Sequence, residues 1–438
     1  MKNLPETKLD KIVSLCKRRG FLYQGSEIYG GLSGTFDYGP LGVALKNNVK
    51  NLWWKMFVDD REDMYGVDAA ILMNPKVWQA SGHIGGFSDP MIECQKCKKH
   101  FQADNLEDKN KCPLCAGKLG AERRFNMMFK TSIGASEDES SVSYLRPETA
   151  GGIFVNFKNI IDSFHPKFPF GIAQIGKAFR NEIAPRDFIF RLRELEQMEI
   201  EYFIRESDWE AEFEIWRKHM EEWMDAIGID RSHVHEIEVP AENRAHYSKR
   251  TIDFEYEFPF GQKELYGLAY RTDFDLRSHA KGSSVPLEYY DDATGERFVP
   301  HVIEPSLGVD RTILALLCDA YTEDEMDDEM RVYLKLHPRI APVKAAVFPL
   351  LKNKEELVAK ARLVYSAIKS EIGAVIFDDN GNIGKRYRRQ DEIGTPYCVT
   401  IDFDTLADDT VTVRHRDTGK QERMPIGELA GFLKKVIS

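Results

Sequence analysis

Four cysteines fall in one short window, Cys94-Gln-Lys-Cys97 and, after fourteen residues, Cys112-Pro-Leu-Cys115. Two knuckles at this spacing can bring four thiolates to a tetrahedron around Zn²⁺. Protein would fill all four positions, leaving none for water or substrate. The metal is therefore expected to be structural, folding a ribbon of about 30 residues without touching a reaction site. Four unrelated packed cysteines are the alternative. A second concentration of chemistry lies between residues 146 and 204. Read as a strand, GIAQIGKAFRNE places Ala178, Arg180 and Glu182 on one face. Read the same way, LRELEQMEIEYFI places Arg193, Leu195, Gln197, Glu199 and Glu201 on one face. Unpaired charges at that density are costly inside a core, and a solvated edge hairpin is the alternative. A third signal is Arg311. An apolar strand leads into Glu304-Pro305-Ser306, a turn at Gly308 and a helix from about Val309, with Arg311 in its first turn. A cation there opposes the helix dipole; an anionic partner such as phosphate explains it.

These groups need elements to hold them. Between the two strands, IAPRDFIFR is polar and broken by Pro185, and reads as a loop. After Gly39-Pro40 a helix is predicted over Leu41–Val58, followed by a strand ending at Pro75. A second helix is predicted over Ser207–Ile227, capped by Ser207 or Asp208 and ended by Gly228. Its stripe of Trp209, Phe213, Trp216, Met220, Trp223 and Ile227 reads as core. The stretch LHPRIAP, with Pro338 and Pro342, reads as a linker. Beyond it, KAAVFPLL, AVIFDD, YCVTIDF and TVTVRHRD alternate with amphipathic helices, an α/β pattern of about 100 residues.

The chain of 438 residues has length for two or three domains. A net charge of −11 excludes a globally basic nucleic-acid binder but allows a local basic patch. The start, MKNLPETKLDK, has no apolar signal core, so a cytoplasmic location is expected. Seven cysteines, four of them clustered, suggest metal binding in a reducing compartment. The histidines show no spacing for a catalytic metal. No Ser-His-Asp or Cys-His set is evident.

Phe179-Arg180-Asn181-Glu182 resembles the end of the first strand of motif 2 in class II aminoacyl-tRNA synthetases, and the Gly308–Arg311 turn resembles motif 3. The Leu41–Val58 helix with its following strand resembles motif 1, which in that family builds a dimer interface. Further segments are similar to the glycyl branch: Ala80-Ser81-Gly82-His83, Arg146-Pro147-Glu148-Thr149-Ala150, Arg271-Thr272-Asp273, Glu304-Pro305-Ser306, and Lys385-Arg386-Tyr387-Arg388-Arg389 running to Gly394-Thr395-Pro396. The resemblance covers almost the whole chain. It implies an α+β fold: a class II antiparallel-sheet catalytic domain over 1–337, a zinc-ribbon insertion over 88–125, and an α/β anticodon-binding domain over 338–438.

The same resemblance implies glycine activation by ATP, transfer to tRNA, and a homodimer. Arg180, Glu182 and Arg311 would be catalytic. ATP would meet Arg180, Asn181, Glu182, Arg191, Leu192, Arg193, Leu195, Glu264, Leu265, Gly308 and Arg311, with Mg²⁺ on the phosphates and Glu264 as a ligand. Glycine would meet Glu148, Arg180, Gln197, Glu199, Glu304, Pro305 and Ser306, with the three glutamates around its ammonium and Ser306 where a methyl would go. Lys385, Arg386, Arg388 and Arg389 would meet tRNA phosphates, with Tyr387 on a base; a solvated basic turn is the alternative. One departure is Leu195, where the family usually has a Phe that stacks on adenine; ATP affinity is the property it affects. A sister synthetase of the same subclass, or a non-catalytic module with this fold, is the rival reading. The Arg-Pro-Glu and Glu-Pro-Ser segments oppose the first; the joint presence of Arg180, Glu182 and Arg311 opposes the second.

Overall fold

The computed structural model describes residues 6–135, 141–326 and 329–437. Residues 1–5 and 438, at the ends of the expected domains, lie outside them. Seven strands form the main sheet: β1 (Met64–Gly66), β2 (Phe170–Phe179), β3 (Glu194–Ile204), β4 (Val234–Glu238), β5 (Arg250–Phe258), β6 (Gly261–Thr272) and β7 (His301–Gly308). Their order is β4-β5-β6-β7-β3-β2-β1. Neighbours are antiparallel except β1 beside β2.

The strand period decides what each face does. On β3, Met198, Ile200 and Tyr202 enter the main apolar core with the helices Pro40–Trp54, Trp209–Ile227 and Val309–Ala320. Gln197, Glu199 and Glu201 point to the other face and are nonetheless buried. Glu199 lies opposite Gln174 on β2 and Ser306 on β7; Gln197 lies opposite Gly176 and Gly308. A Cβ on Gly176 would come within 2.2 Å of Nη2 of Arg146, so a larger residue there would push that guanidinium aside.

Several expectations need correction. The first hairpin strand stops at Phe179, so Arg180, Asn181 and Glu182 lie beyond it. There the backbone N–H of Asn181 turns to the carbonyl of Met127. The strand expected to reach Pro75 ends at Gly66, and Pro75 is the first residue of a short helix, Pro75–Ala80, capped by Asn74. Proline suits that position because its missing N–H would be unpaired there anyway. The helix Trp209–Ile227 ends at Gly228 in the left-handed conformation, but neither Ser207 nor Asp208 caps it: the Ser207 hydroxyl donates to Asp208 instead. Phe213, Trp216, Met220, Trp223 and Ile227 are fully buried, each contributing roughly 1.5–3 kcal/mol.

The tail forms its own five-stranded mixed sheet and apolar core. LHPRIAP is no exposed linker, because Leu336, Ile340 and Ala341 are buried in the main core. Residues 385–389 are not a turn. They sit in the helix Ile383–Glu392, whose N-terminus is capped by Asn382 accepting from the Lys385 N–H. That helix carries the fully buried Asp391, bound by Arg414 at 2.8 Å and facing Arg331 of the strand Glu329–Leu334 at 3.5 Å. A buried ion-pair cluster therefore clamps the tail to the larger part.

Candidate functional site

A cavity of about 290 Å³ opens on the polar face of the sheet, where the β2–β3 hairpin meets β6, β7 and the helix Val309–Ala320. Arg180, Glu182, Arg191, Leu192, Leu195, Gln197, Glu264, Leu265, Ser306, Gly308 and Arg311 line it. The structure thus brings together residues far apart in the chain, Arg180 and Arg311 among them, 131 positions from each other. Arg180 is anchored by its backbone N–H to the Arg193 carbonyl and by Nε to the Pro147 carbonyl at 3.1 Å, with its guanidinium over the Phe87 ring. Arg311 spans the opposite wall. Its Nη1 is 3.1 Å from a carboxylate oxygen of Glu264, and its guanidinium lies 4.5 Å from the Phe190 ring centre. The Arg311 charge is the main cause that holds the Glu264 carboxyl below its usual range; burial raises that of Glu182.

Asn181 and Arg193 do not join this lining. Arg193 turns its guanidinium to the carbonyls of Glu182 and Ser33, and both residues border a neighbouring cleft with His100, Arg123 and Arg124. Arg193 precedes the first residue of β3, where the sheet no longer sets its direction, and Asn181 alternates with Arg180 and Glu182, which do line the cavity.

Behind Gln197 and Ser306 lies a buried acidic cluster. Glu199 accepts from four donors: the Thr149 N–H at 3.0 Å, the Thr149 hydroxyl, the Gln197 amide at 2.7 Å and the Ser306 hydroxyl at 2.8 Å. Its oxygens are therefore already satisfied, and its charge is what remains to offer a ligand. Glu304 is bound by Arg271 at 2.6 Å, and Arg271 also grips Asp275. Burial, with Glu199 and Glu148 nearby, pushes the Glu304 carboxyl up to about 8 despite Arg271. Burial also works against the Glu148 carboxylate, but His83, 3.3 Å away, with Arg271 and Arg180 beyond, holds it down to about 2. Both carboxyl oxygens of Glu201 and the amide oxygen of Gln197 are buried without a protein donor. Orphan acceptors beside clustered carboxylates suit a ligand that brings N–H donors and positive charge.

With this geometry the chain can be set beside known proteins. Residues 129–320 match the family described as tRNA synthetase class II core domain (G, H, P, S and T), and residues 344–436 match the anticodon binding domain. The chain is 51% identical to the glycine–tRNA ligase of Clostridium acetobutylicum over 99% of both chains. It is 49% identical to that of Bacillus thuringiensis, over 98% of this chain and 99% of the relative. The glycine–tRNA ligase of Caldanaerobacter subterraneus is also 49% identical, over 98% of each. This chain belongs to the glycine–tRNA ligase family.

Other features of this glycine–tRNA ligase family member escaped the sequence reading. Asp89, Gln102 and Met127, from or beside the cysteine-bearing segment, line the cavity. That corrects the expectation of an insertion standing apart from it. Phe190 brings an aromatic ring to the cavity wall, beside the Arg311 guanidinium. His83 and Arg271 were visible only as family-like segments; their ion pairs to Glu148 and Glu304 are long-range.

The four cysteine sulfurs lie within 4.8 Å of one another, with Cys94–Cys115 at 3.6 Å and Cys97–Cys112 at 3.7 Å. A tetrahedron of ~2.3 Å zinc–sulfur bonds has edges of about 3.8 Å, so the donor set fits Zn²⁺. The Cys97 backbone N–H, first among the causes, lowers the Cys94 thiol to about 6 and favours the thiolate a metal needs.

In the tail, Arg386 is buried and donates to the carbonyls of Pro349, Asp379 and Gly381. Tyr387 packs on Phe348 and bonds Thr400, so neither is presented to a nucleic acid. Both roles expected for them are corrected: the helix turns these side chains inward. Lys385 is exposed, Arg388 reaches Glu329, and Arg389 is held by Asp378.

Proposed function

We propose that this protein activates glycine with ATP as glycyl-adenylate, releasing pyrophosphate, and then esterifies glycine onto the 3′ end of tRNA(Gly). The observation that carries this reading is the contact between two unlike compartments, an arginine-lined cavity and a buried carboxylate cluster. The first suits a triphosphate, the second an ammonium. At their junction, Arg180 would bridge the glycine carboxylate and the α-phosphate, stabilising charge as it develops there. Glu182 would meet the adenine amino group, and Arg191 and Arg311 the outer phosphates. Glu148, Glu199 and Glu304 would supply charge to the ammonium, and Ser306 would close the space a Cβ would need. Mg²⁺ would neutralise phosphate charge, with Glu264 as a carboxylate able to hold it. Glycine-dependent exchange of pyrophosphate into ATP is the test. Exchange driven by proline or threonine, and not glycine, would overturn the assignment.

The pKa pattern sets a pH dependence. A Glu304 carboxyl at about 8 is mostly protonated at pH 7, and an ammonium beside it favours the ionised form. Glycine binding should therefore release protons near pH 7, and glycine affinity should rise with pH until about pH 8. Calorimetry at pH 7 in buffers of different ionisation enthalpy reads the release directly; proton uptake would refute the assignment of Glu304.

The same reading takes 1–337 as the catalytic unit, 88–125 as a zinc-ribbon insertion and 338–438 as the anticodon-binding unit. Cys97→Ser is expected to lower bound zinc from about one per chain to near zero, since tetrahedral closure needs every thiolate. Atomic emission on purified protein measures it, and metal-free folded parent protein would contradict it. The resemblance of the helix Pro40–Trp54 to motif 1 supports pairing of two copies along that helix. A monomer of about 50.3 kDa in sedimentation would exclude that pairing. No helix among the described residues is long and apolar enough to cross a membrane.

A further inference from the structure

One strand of the insertion, Ser88–Glu93, begins at the arginine-lined cavity and ends at the cysteine cluster. Asp89 lines the cavity, and Cys94 follows Glu93 directly. The chain then turns through Cys94–Cys97 and returns as His100–Gln102, pairing Met91 with Gln102, Ile92 with Phe101 and Glu93 with His100. The cysteine knuckle is thus the turn of a hairpin whose far end is a wall of the cavity.

Gln102 uses both ends of its amide there. Its Nε2 donates to Asp89 Oδ2 at 2.8 Å, and its Oε1 accepts from Arg191 Nη1 at 2.8 Å. An ionised carboxylate can only accept, so Asp89 orients the amide with its oxygen toward Arg191. Arg191 belongs to the irregular loop between β2 and β3 and reaches Glu182 only at 4.0 Å. A long, flexible guanidinium on a loop is useful to a phosphate only if it is held.

We propose that Gln102 is a positioning residue for Arg191, that Asp89 orients it, and that the four-cysteine knuckle sets the hairpin register on which both depend. The cysteine knuckle thereby governs the cavity's affinity for a nucleoside triphosphate. This rests on the cavity being the nucleotide site.

The test is the dissociation constant of Mg·ATP without glycine, by calorimetry, for the parent, Gln102→Ala, Arg191→Ala, their double variant, and the exchanged pair Asp89→Asn with Gln102→Glu. Each single alanine variant is expected to weaken ATP binding by about tenfold, the scale of one hydrogen bond to a charged group. The double variant should be no weaker than Arg191→Ala alone, because Gln102 acts through Arg191. The exchanged pair keeps one carboxylate and reverses the order of the two groups. The amide introduced at position 89 can donate to the carboxylate introduced at position 102, which in turn accepts from Arg191. This pair should return affinity to within about threefold of the parent, while Gln102→Glu alone, facing Asp89, should stay weak. Cys97→Ser should weaken ATP binding and add little to Gln102→Ala. Additive losses in the double variant, failure of the exchanged pair to restore affinity, or a Gln102→Ala protein with parental affinity would overturn the proposal while leaving the nucleotide site intact. If Arg191→Ala also bound ATP normally, the reading of the cavity itself would fall.

Discussion

Glu199→Gln is expected to lower glycine-dependent pyrophosphate exchange by about 100-fold while leaving Mg·ATP binding within about threefold of the parent. The carboxylate is met only by donors: the Thr149 N–H and hydroxyl, the Gln197 amide and the Ser306 hydroxyl. A glutamine keeps the shape but must turn an NH₂ toward two of them. A buried donor is then left unpaired, at a cost of about 1–3 kcal/mol. The substitution also removes a negative charge from the proposed ammonium site, worth a similar amount. About 3 kcal/mol together corresponds to about 100-fold in rate. The loss should appear mostly as a raised KM for glycine, since the ammonium is bound equally in the ground and transition states. Exchange within threefold of the parent would mean that Glu199 is only a structural brace for Thr149 and Ser306.

Arg180→Ala is expected to lower kcat for glycyl-adenylate formation by about 10²–10³-fold, the scale of removing one preorganised donor from a developing negative charge. The preorganisation is visible in its anchors: the Pro147 carbonyl on Nε, the Arg193 carbonyl on its backbone N–H, and the Phe87 ring beneath. Arg180→Lys should recover only part of this loss, because an ammonium cannot bridge two oxygens as a planar fork does. Single-turnover adenylate formation separates the chemical step from binding. A kcat reduced less than tenfold in Arg180→Ala would remove Arg180 from the reacting centre.

Local patterns accounted for much of what could be read without a structure. Paired CxxC spacing led to sulfurs within 4.8 Å of one another, because the knuckle turns are built from adjacent residues. The glycine before Val309 and the apolar period after it located the strand-to-helix turn that carries Arg311. Alternation on β3 put Gln197, Glu199 and Glu201 on one face, since a strand fixes side-chain direction at a period of two. The rule failed just beyond the strand ends. Arg193 turned away from the cavity that alternation assigned it, and Asn181 from the one the family resemblance assigned it. The tail shows the same limit: its strands were legible, but the helix Ile383–Glu392 was read as a basic turn, and its burial of Arg386 was missed.

The amino-acid sequence by itself determined the family, the four-cysteine cluster, the polar face of the central hairpin and the apolar stripes that build the core, because each of these is written in short-range spacing or in recognisable motifs. Only the tertiary structure decided what closes the cavity and what satisfies its charges. Gln102, held by Asp89, reaches Arg191 from a segment about 90 residues away in the chain. Arg271 reaches Glu304 across neighbouring strands, and Asp391 meets Arg331 between the tail and the larger part. No local period encodes such partners. They follow from strand order and register, and those are settled by the packing of the whole chain.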